Sequence, residues 1–338
     1  MDINNNILKF AKNIGKKKRI ILPESFDTRV LNAATMIVRD NIASVILPTN
    51  NKKKLIDMAS SIGIDLSEIE IVNIDVEILD KNKICEFFNA RKEKKIDDCD
   101  KINLFNDYLY FSMMYLKSGK CDACVCGAAY DTADVLRASF NIIGTSKNVK
   151  IVSSYFIMVP PTDNCVIKYP IIFADCAVNP EPNVFGLRDI AVSSVESFRK
   201  TFPNRNINVS MLSFSTKGSS NSKSLLKIKD ATDLVKNYFK NLNDNIVNVD
   251  GELQFDASII QNIGHKKAPN SQVAGNANIL IFPDLNSGNI GYKIAERLGR
   301  FTAIGPILQG LLYPVSDLSR GSSSEDIYLT SAIVLNHI

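Results

Sequence analysis

A hydroxyl, a guanidinium and a carboxylate lie close together in the C-terminal part of the sequence. Ser319 and Arg320 belong to the stretch Asp317-Leu318-Ser319-Arg320-Gly321, and Asp326 follows shortly after it. An arginine offers a fork of N–H donors to an anion, and a carboxylate can accept a proton. The spacing therefore predicts an anion site beside a proton acceptor. The alternative is a surface turn whose acids only complement a helix dipole.

A helix should follow this turn. Gly321 permits a sharp bend, and the serines at 322 to 324 offer N-cap oxygens, with Glu325 at capping-box distance from Ser322. The N-terminal N–H groups of that helix would favour an anion in the same space. From about Ser324 to Asn336 the helix has an apolar side, with Thr330 and Ser331 on the opposite side. Such a helix must pack on a domain that is already formed, which we expect to be the first one.

A second candidate site follows the apolar segment Cys124 to Cys126. Gly127 begins a turn, and a helix with Thr132 near its start and Arg137 further along comes next. Ligands collect at the carboxyl ends of strands in open α/β sheets, so Thr132 could cap the helix and contact an anion that Arg137 also binds. An ordinary turn with Arg137 on the surface is an equally open interpretation.

Two further strand ends carry polar groups. Ser213, Ser215 and Lys217 follow a predicted strand, and hydroxyls, a lysine and backbone N–H groups there can cradle phosphate. Asn286 to Lys293 is a glycine-rich turn that leads into a helix, and Lys293 is its candidate ligand-binding residue. A solvated loop and a tight, well-capped turn are the alternatives. The sequence lacks both GxxxxGK[ST] and GxGxxG, so the usual nucleotide signatures are missing.

The composition is that of a globular protein with ordinary solubility. The 338 residues are 45% hydrophobic and 22% charged, and the length favours two domains. A net charge of +4 is far from a nucleic-acid-binding signature. No apolar run is long enough for a membrane span and the N-terminal residues are polar, so we expect a cytoplasmic protein. The CxxCxC spacing at Cys121 to Cys126 has no second cysteine pair, so no metal is expected.

Alternating apolar runs and helical patterns predict a parallel sheet with helices on both faces in the first part of the chain. After Val149, two strand-like segments around Pro160-Pro161 form a predicted hairpin, and a second α/β unit follows. We therefore expect domain I to comprise residues 1–149 and 307–338, with domain II, residues 150–306, inserted into it. Predicted strands are 19–22, 43–48, 69–73, 123–126, 151–159, 166–174, 209–214 and 279–282; predicted helices are 29–39, 52–60, 84–91, 105–117, 187–202, 225–241 and 256–262.

Taken together, these segments resemble the phosphate acetyltransferase (phosphotransacetylase) family, within the phosphate acetyl/butyryltransferases. The similarity spans nearly the whole chain, in the order that the family shows. The matching stretches are Leu22-Pro23-Glu24, Cys121-Asp122-Ala123, Gly127-Ala128, Thr132-Ala133-Asp134, Ser213 to Ser219, Asp250 to Asp256, Lys267-Ala268-Pro269, Gly275 to Asn278, Phe282 to Asn286, Gly288-Asn289-Ile290 and Gly305 to Asp326.

The resemblance implies reversible acetyl transfer, in which acetyl-CoA and phosphate give coenzyme A and acetyl phosphate. It implies two three-layer α/β/α domains, isocitrate dehydrogenase-like, with the active site in a cleft between them. It also implies a homodimer, coenzyme A as substrate without a tightly bound cofactor, and acetate kinase as the pathway partner. The family's site residues match Ser319, Arg320 and Asp326, and two further arginines match Arg137 and Arg91.

This chain departs from the family pattern at two positions of the predicted site. Ser322 stands where many relatives carry cysteine, which argues against a required thiol. Asp131 replaces a residue that is commonly threonine or serine and adds a negative charge near the predicted anion site. The second change affects the local geometry rather than the class of activity.

The resemblance predicts a mechanism for these residues. Asp326 would be the general base for the thiol of coenzyme A, which requires either a partly buried carboxylate or a thiol acidified by the helix end and Arg320. Arg320, with Arg137 and Arg91, would stabilise the developing charge and bind phosphate. Ser319 would orient the thiol and donate to the oxyanion. Direct transfer is expected because no cysteine sits in an activating position.

Three other interpretations of the sequence compete with this one. A phosphate butyryltransferase would do the same chemistry on a longer acyl group, although the Asp250 to Asp256 block favours the acetyl type. A non-catalytic protein that binds coenzyme A or an acyl phosphate is disfavoured because the site residues are present. A β-decarboxylating dehydrogenase would share the fold but lacks the matching stretches.

Overall fold

The computed structural model describes residues 18–76, 106–162 and 166–338. The chain divides into two compact units, of which unit 1 contains Met1–Thr145 and Leu311–Ile338 and unit 2 contains Ser146–Gly310. The boundaries that we expected at residues 149 and 306 lie a few residues away from these divisions. The helix predicted over 84–91 and the residue Arg91 lie outside the described residues.

Unit 1 is built around a parallel sheet. Its described strands are β1 (Arg19–Ile21), β2 (Ser44–Thr49), β3 (Glu70–Asn73), β4 (Ala123–Cys126) and β11 (Val315–Asp317). They lie in the order β11-β4-β1-β2-β3, and every pairing is parallel. The described helices are α1 (Thr28–Arg39), α2 (Lys52–Ser61), α3 (Tyr108–Lys117), α4 (Thr132–Ala138), which continues into a π-helix (Ser139–Ile143), and α10 (Ser324–Leu335).

The parallel sheet explains the continuous apolar runs in the sequence. All four residues of β4 are buried, as are Ile20 and Ile21 of β1, because helices cover a parallel sheet on both faces. The predicted parallel α/β arrangement is confirmed. Sequence patterns did not predict β11, which lies beside β4 and brings the carboxyl ends of these two strands together.

Unit 2 has a mixed sheet of six strands. These are β5 (Ser153–Val159), β6 (Ile171–Ala174), β7 (Ile207–Leu212), β8 (Val247–Leu253), β9 (Ile279–Ile281) and β10 (Thr302–Gln309). Their order is β10-β5-β6-β9-β7-β8, antiparallel across β10, β5 and β6 and parallel beyond them. The predicted antiparallel pairing of β5 with β6 is confirmed, whereas β8 and β10 were not predicted.

The described helices of unit 2 are α5 (Val184–Thr201), α6 (Ser224–Asn241), α7 (Phe255–Ile259), α8 (Gln261–Lys267) and α9 (Leu285–Arg297). The single helix predicted over 256–262 is therefore wrong, because the chain forms two short helices around Ile260. That residue has an extended backbone, which interrupts the helical hydrogen bonds. Two α/β units of this kind confirm the predicted fold class.

The closing helix α10 packs on α1 and on strands β4 and β11 of unit 1, as expected. The predicted polar side is wrong, because Thr330 and Ser331 are both buried. The hydroxyl of Ser331 donates to the carbonyl of Ile327 at 2.8 Å, so it is satisfied inside the helix and can be buried. The helix is covered on nearly all sides.

Within the described ranges, no helix combines the length and the apolar character that a bilayer span requires.

Candidate functional site

The turn between β11 and α10 and the first turn of α10 carry the predicted triad of side chains, which are those of Ser319, Arg320 and Asp326. Ser323 is the N-cap of α10, and its hydroxyl accepts a hydrogen bond from the backbone N–H of Asp326 at 3.1 Å. The carboxylate of Asp326 accepts in return from the backbone N–H of Ser323 at 2.8 Å and from its hydroxyl at 2.9 Å. This is a complete capping box. Asp326 is therefore both the proposed base and part of the structure that starts the helix.

The capping box predicted from Ser322 and Glu325 is wrong by one residue. Ser322 is buried, and its backbone N–H donates to the carbonyl of Ser319 at 2.9 Å, so it belongs to the preceding turn. The special role predicted for Gly321 is also wrong. Its backbone is outside the left-handed region, and an added Cβ would make only an ordinary contact of 3.7 Å with Ser319 Oγ.

Ser319, Arg320 and Asp326 are all exposed on unit 1. Ser319 Oγ accepts from the N–H of Gly321 at 3.2 Å. Arg320 Nη1 lies 3.1 Å from Asp131 Oδ1, so an ion pair joins this turn to the one after β4. Asp326 is exposed, so the described residues of unit 1 do not bury its carboxylate. Partial burial was one of the two expected ways to make proton transfer from the thiol favourable, and the other was a more acidic thiol.

The turn after β4 depends on Gly127. Its φ is +103°, and an added Cβ would lie 2.2 Å from Asp317 Oδ1 and 2.6 Å from the backbone nitrogen of Leu318. Only glycine allows the two turns to approach this closely. The predicted sequence of a strand, a glycine turn and a helix is confirmed, and the strand order places it directly beside the end of β11.

Thr132 does not cap α4, contrary to expectation. Asp131 occupies the N-cap, with no capping hydrogen bond from its side chain, and Thr132 is the first helical residue. Its hydroxyl donates instead to Asp317 Oδ2 at 2.6 Å. Thr132 therefore links the two turns through a carboxylate.

Two carboxylates lie buried beneath these turns. Glu24 Oε1 accepts from the N–H groups of Gly127, Ala129 and Tyr130 at 2.7, 3.1 and 3.4 Å, while its Oε2 and the Oδ1 of Asp317 have no partner among the described residues. Burial raises the pKa of Glu24, although the three N–H donors oppose the shift. Burial also raises the pKa of Asp317 to about 7, and the nearby Glu24 adds to this effect.

The Asp317 carboxyl makes stability depend on pH. Since its pKa is raised in the folded state, it favours folding at low pH, and this contribution is lost as the pH rises from about 4 through 7. The loss is on the order of 4 kcal/mol. We expect Asp317→Asn, which keeps the acceptor for Thr132, to raise Tm relative to the wild type more at about pH 8 than at about pH 5. Thermal unfolding at the two pH values measures this difference.

Asp57→Asn is the matched control, since it makes the same chemical change at an exposed residue of α2. It should leave Tm nearly unchanged at both pH values. A Tm gain for Asp317→Asn that did not grow with pH would show that the buried carboxyl is not protonated in the folded protein.

The other predicted residues occupy separate places. Arg137 lies on α4, 61% exposed, where it pairs with Asp134 at 2.5 Å. Lys293 lies exposed on α9 in unit 2, with its Nζ 5.8 Å from the centre of the Tyr292 ring. Ligand contacts by these two residues remain predictions.

The loop after β7 contains the predicted phosphate cradle of unit 2. Ser215 Oγ donates to Glu252 Oε1 at 3.3 Å, and the N–H of Gly218 donates to the same oxygen at 2.7 Å. Lys217 forms an ion pair with Asp250. Ser213 Oγ accepts from the N–H of Ser215 at 3.4 Å. Protein carboxylates thus engage several groups that were predicted to bind phosphate.

Sequence reasoning missed three residues of the site in unit 1. Arg29 carried no local pattern, and Glu24 and Asp317 appeared only within matching stretches. Arg29 reaches both turns, since it donates to the carbonyls of Ala128, Arg320 and Ser322. A search for charged residues next to predicted strand ends would have found Glu24, which follows the predicted strand 19–22, but not Asp317, because β11 was not predicted.

The fold and this turn define a class of protein. They describe an α/β protein in which a Ser-Arg pair and an aspartate surround the start of a helix at the carboxyl ends of parallel strands. The family model described as "Phosphate acetyl/butaryl transferase" matches residues 2–335, and the chain belongs to that family. The resemblance seen in the sequence is confirmed.

Individual relatives agree over the whole length. The phosphate acetyltransferase of Clostridium acetobutylicum is 41% identical over 335 residues, 99% of this chain and 98% of the relative. That of Thermoanaerobacterium thermosaccharolyticum is 43% identical over 328 residues, 97% of this chain and 96% of the relative. The solved structure of the EutD phosphotransacetylase from Staphylococcus aureus has a TM-score of 0.87 and 38% identity, and the match covers 98% of each chain.

Proposed function

We propose that the chain catalyses reversible acetyl transfer, in which acetyl-CoA and phosphate give coenzyme A and acetyl phosphate. The observation that carries this function is the intact turn of Ser319, Arg320 and Asp326 at the start of α10, in a chain that matches phosphate acetyltransferases over its full length. The turn supplies a hydroxyl, a guanidinium, a carboxylate and a helix N-terminus, and the three side chains are exposed on the surface of unit 1.

In the direction of acetyl-CoA synthesis, the thiol of coenzyme A attacks the carbonyl carbon of acetyl phosphate. Asp326 accepts the thiol proton, the C–S bond forms, and the C–O bond to phosphate breaks. Since Asp326 is exposed on unit 1, we favour acidification of the thiol by Arg320 and the N-terminus of α10 over a buried carboxylate. Arg320, with Arg137 and Arg91, stabilises the charge that grows on the leaving phosphate.

Ser319 orients the thiol and donates to the developing oxyanion. Its Oγ accepts from Gly321, so its own proton can be donated. The four described cysteines, at 121, 124, 126 and 176, are buried, and burial raises the pKa of Cys121, Cys126 and Cys176. These thiols are poor nucleophiles. Their burial supports direct transfer without an acetyl-enzyme.

The assembly and the setting of this reaction also belong to the proposal. We infer that the protein is a homodimer in the cytoplasm and that it uses coenzyme A as substrate. We also infer that acetate kinase is its pathway partner, with which it exchanges acetyl phosphate. Sedimentation of the purified protein tests the dimer.

The function is tested by thiol release from acyl-CoA in the presence of phosphate. We expect faster release from acetyl-CoA than from butyryl-CoA, with no release when phosphate is omitted. A preference for butyryl-CoA would identify a butyryltransferase. Binding of coenzyme A without thiol release would identify a non-catalytic protein, and reduction of a nicotinamide cofactor would identify a dehydrogenase.

A further inference from the structure

The guanidinium of Arg29, near the start of α1, has a partner for each of its five N–H donors. Nε and one Nη2 proton go to the carboxylate of Asp27, at 3.1 and 2.7 Å. The other Nη2 proton goes to the carbonyl of Ala128 at 2.8 Å. The two Nη1 protons go to the carbonyls of Arg320 at 2.7 Å and Ser322 at 2.9 Å. Five donors is the full capacity of an arginine side chain.

These acceptors come from three separate segments of unit 1. Asp27 is the N-cap of α1, Ala128 lies in the turn after β4, and the carbonyls of Arg320 and Ser322 flank Gly321 in the turn before α10. One side chain thus fixes the backbone of the turn that carries Ser319 and Arg320 against the turn that carries Asp131. It does so from the side of α1, without using the exposed side chains of the predicted triad.

The contacts that the side chains of Ser319, Arg320 and Asp326 make with described residues are weak or local. The Arg320–Asp131 ion pair is exposed on both sides, 72% and 59%, and exposed pairs contribute little. Ser319 contacts Gly321, and Asp326 contacts Ser323, within the same turn. The Arg29 bonds are charge-assisted, and such bonds are about twice as strong as neutral ones. Arg29 therefore sets the position of this turn more than the triad does.

We propose that Arg29 is a positioning residue for acetyl transfer, which holds the backbone between Arg320 and Ser322 so that Ser319, Arg320 and Asp326 meet the substrates in a fixed arrangement. This inference rests on the proposed function. A lysine cannot replace Arg29. The guanidinium donates from three nitrogen atoms to acceptors that lie in different directions, whereas the single ammonium nitrogen of lysine cannot reach all of them.

Arg29→Lys tests the proposal because it keeps the charge and loses the fork. We expect kcat for acetyl transfer to fall by about 100-fold, while KM for acetyl-CoA changes by less than about threefold, because the turn is displaced rather than removed. In Arg29→Ala, added methylguanidinium should restore part of the lost kcat. Arg39→Lys is the matched control, since Arg39 lies on the same helix with its side chain 70% exposed and pairs with Asp40. It should retain the kcat of the wild type.

The outcomes separate this inference from the proposed function. If the wild-type protein shows no acetyl transfer, the proposed function itself is wrong. An active wild type with Arg29→Lys of equal kcat would overturn only the role of Arg29. Circular dichroism and Tm report the fold of each variant. If both Arg29 variants are unfolded, or if the lost kcat tracks the fraction unfolded and methylguanidinium restores none of it, Arg29 is a stability residue and the proposal fails.

Discussion

Replacement of Asp326 by asparagine should lower kcat for acetyl transfer by about 10²- to 10⁴-fold, the range that a general base contributes. KM for coenzyme A should change little, because the base acts on the thiol proton and not on the rest of the substrate. Asparagine has nearly the same shape, and its amide oxygen can still accept from Ser323, so the capping box and the start of α10 are retained. The variant therefore removes a proton acceptor from a folded protein. Steady-state kinetics in both directions measure the effect.

Glu325→Gln provides the matched control for this variant. Glu325 is the neighbouring carboxylate in the first turn of α10, and it is also exposed. Its replacement removes the same charge from the same helix end, where an acid interacts favourably with the dipole, but removes no proposed base. We expect nearly normal kcat. An equal loss in both variants would show that the charge at the helix end matters, and near-normal turnover of Asp326→Asn would exclude this residue as base.

The double role of Asp326 also explains what the sequence could and could not predict. The presence of a capped helix and the order Ser319, Arg320, Asp326 are local features, and both were predicted. The box formed one residue later than expected because Ser322 is held in the turn by Ser319 and by Arg29. Arg29 lies nearly 300 residues away in the sequence, so no local pattern contains that information.

The same distinction holds for the fold. Strands with continuous apolar residues, such as β4, were predicted because burial on both faces leaves a clear signal. The strand β8 was missed because it contains Asn248, Asp250, Gly251 and Glu252, residue types that are depleted in strands. It becomes a strand by pairing with β7 at the edge of the sheet. The strand β11 has only three residues, too few to show a period. Its pairing with β4 nevertheless assembles the site.

The pairing of β11 with β4 brings Arg320 to Asp131. Arg320→Gln should lower kcat/KM for acetyl transfer by about 10²- to 10³-fold, which is the range for loss of a group that stabilises charge in the transition state. Arg320→Lys should recover part of this loss, because it restores the charge without the planar fork that binds phosphate at two oxygens. Initial rates at varied phosphate and acetyl-CoA measure both variants. Unchanged kcat/KM in Arg320→Gln would remove this residue from the proposed mechanism.

Asp131→Asn tests whether Arg320 is shared between a protein carboxylate and the substrate. The substitution leaves α4 intact, since the side chain of Asp131 makes no capping hydrogen bond. If phosphate must displace Asp131 from Arg320, loss of the carboxylate should lower KM for phosphate by up to about fivefold, the equivalent of an exposed ion pair. A higher KM would mean that Asp131 instead orients Arg320 for the anion. Either change would be absent in the double variant with Arg320→Gln, because the two side chains act through one contact.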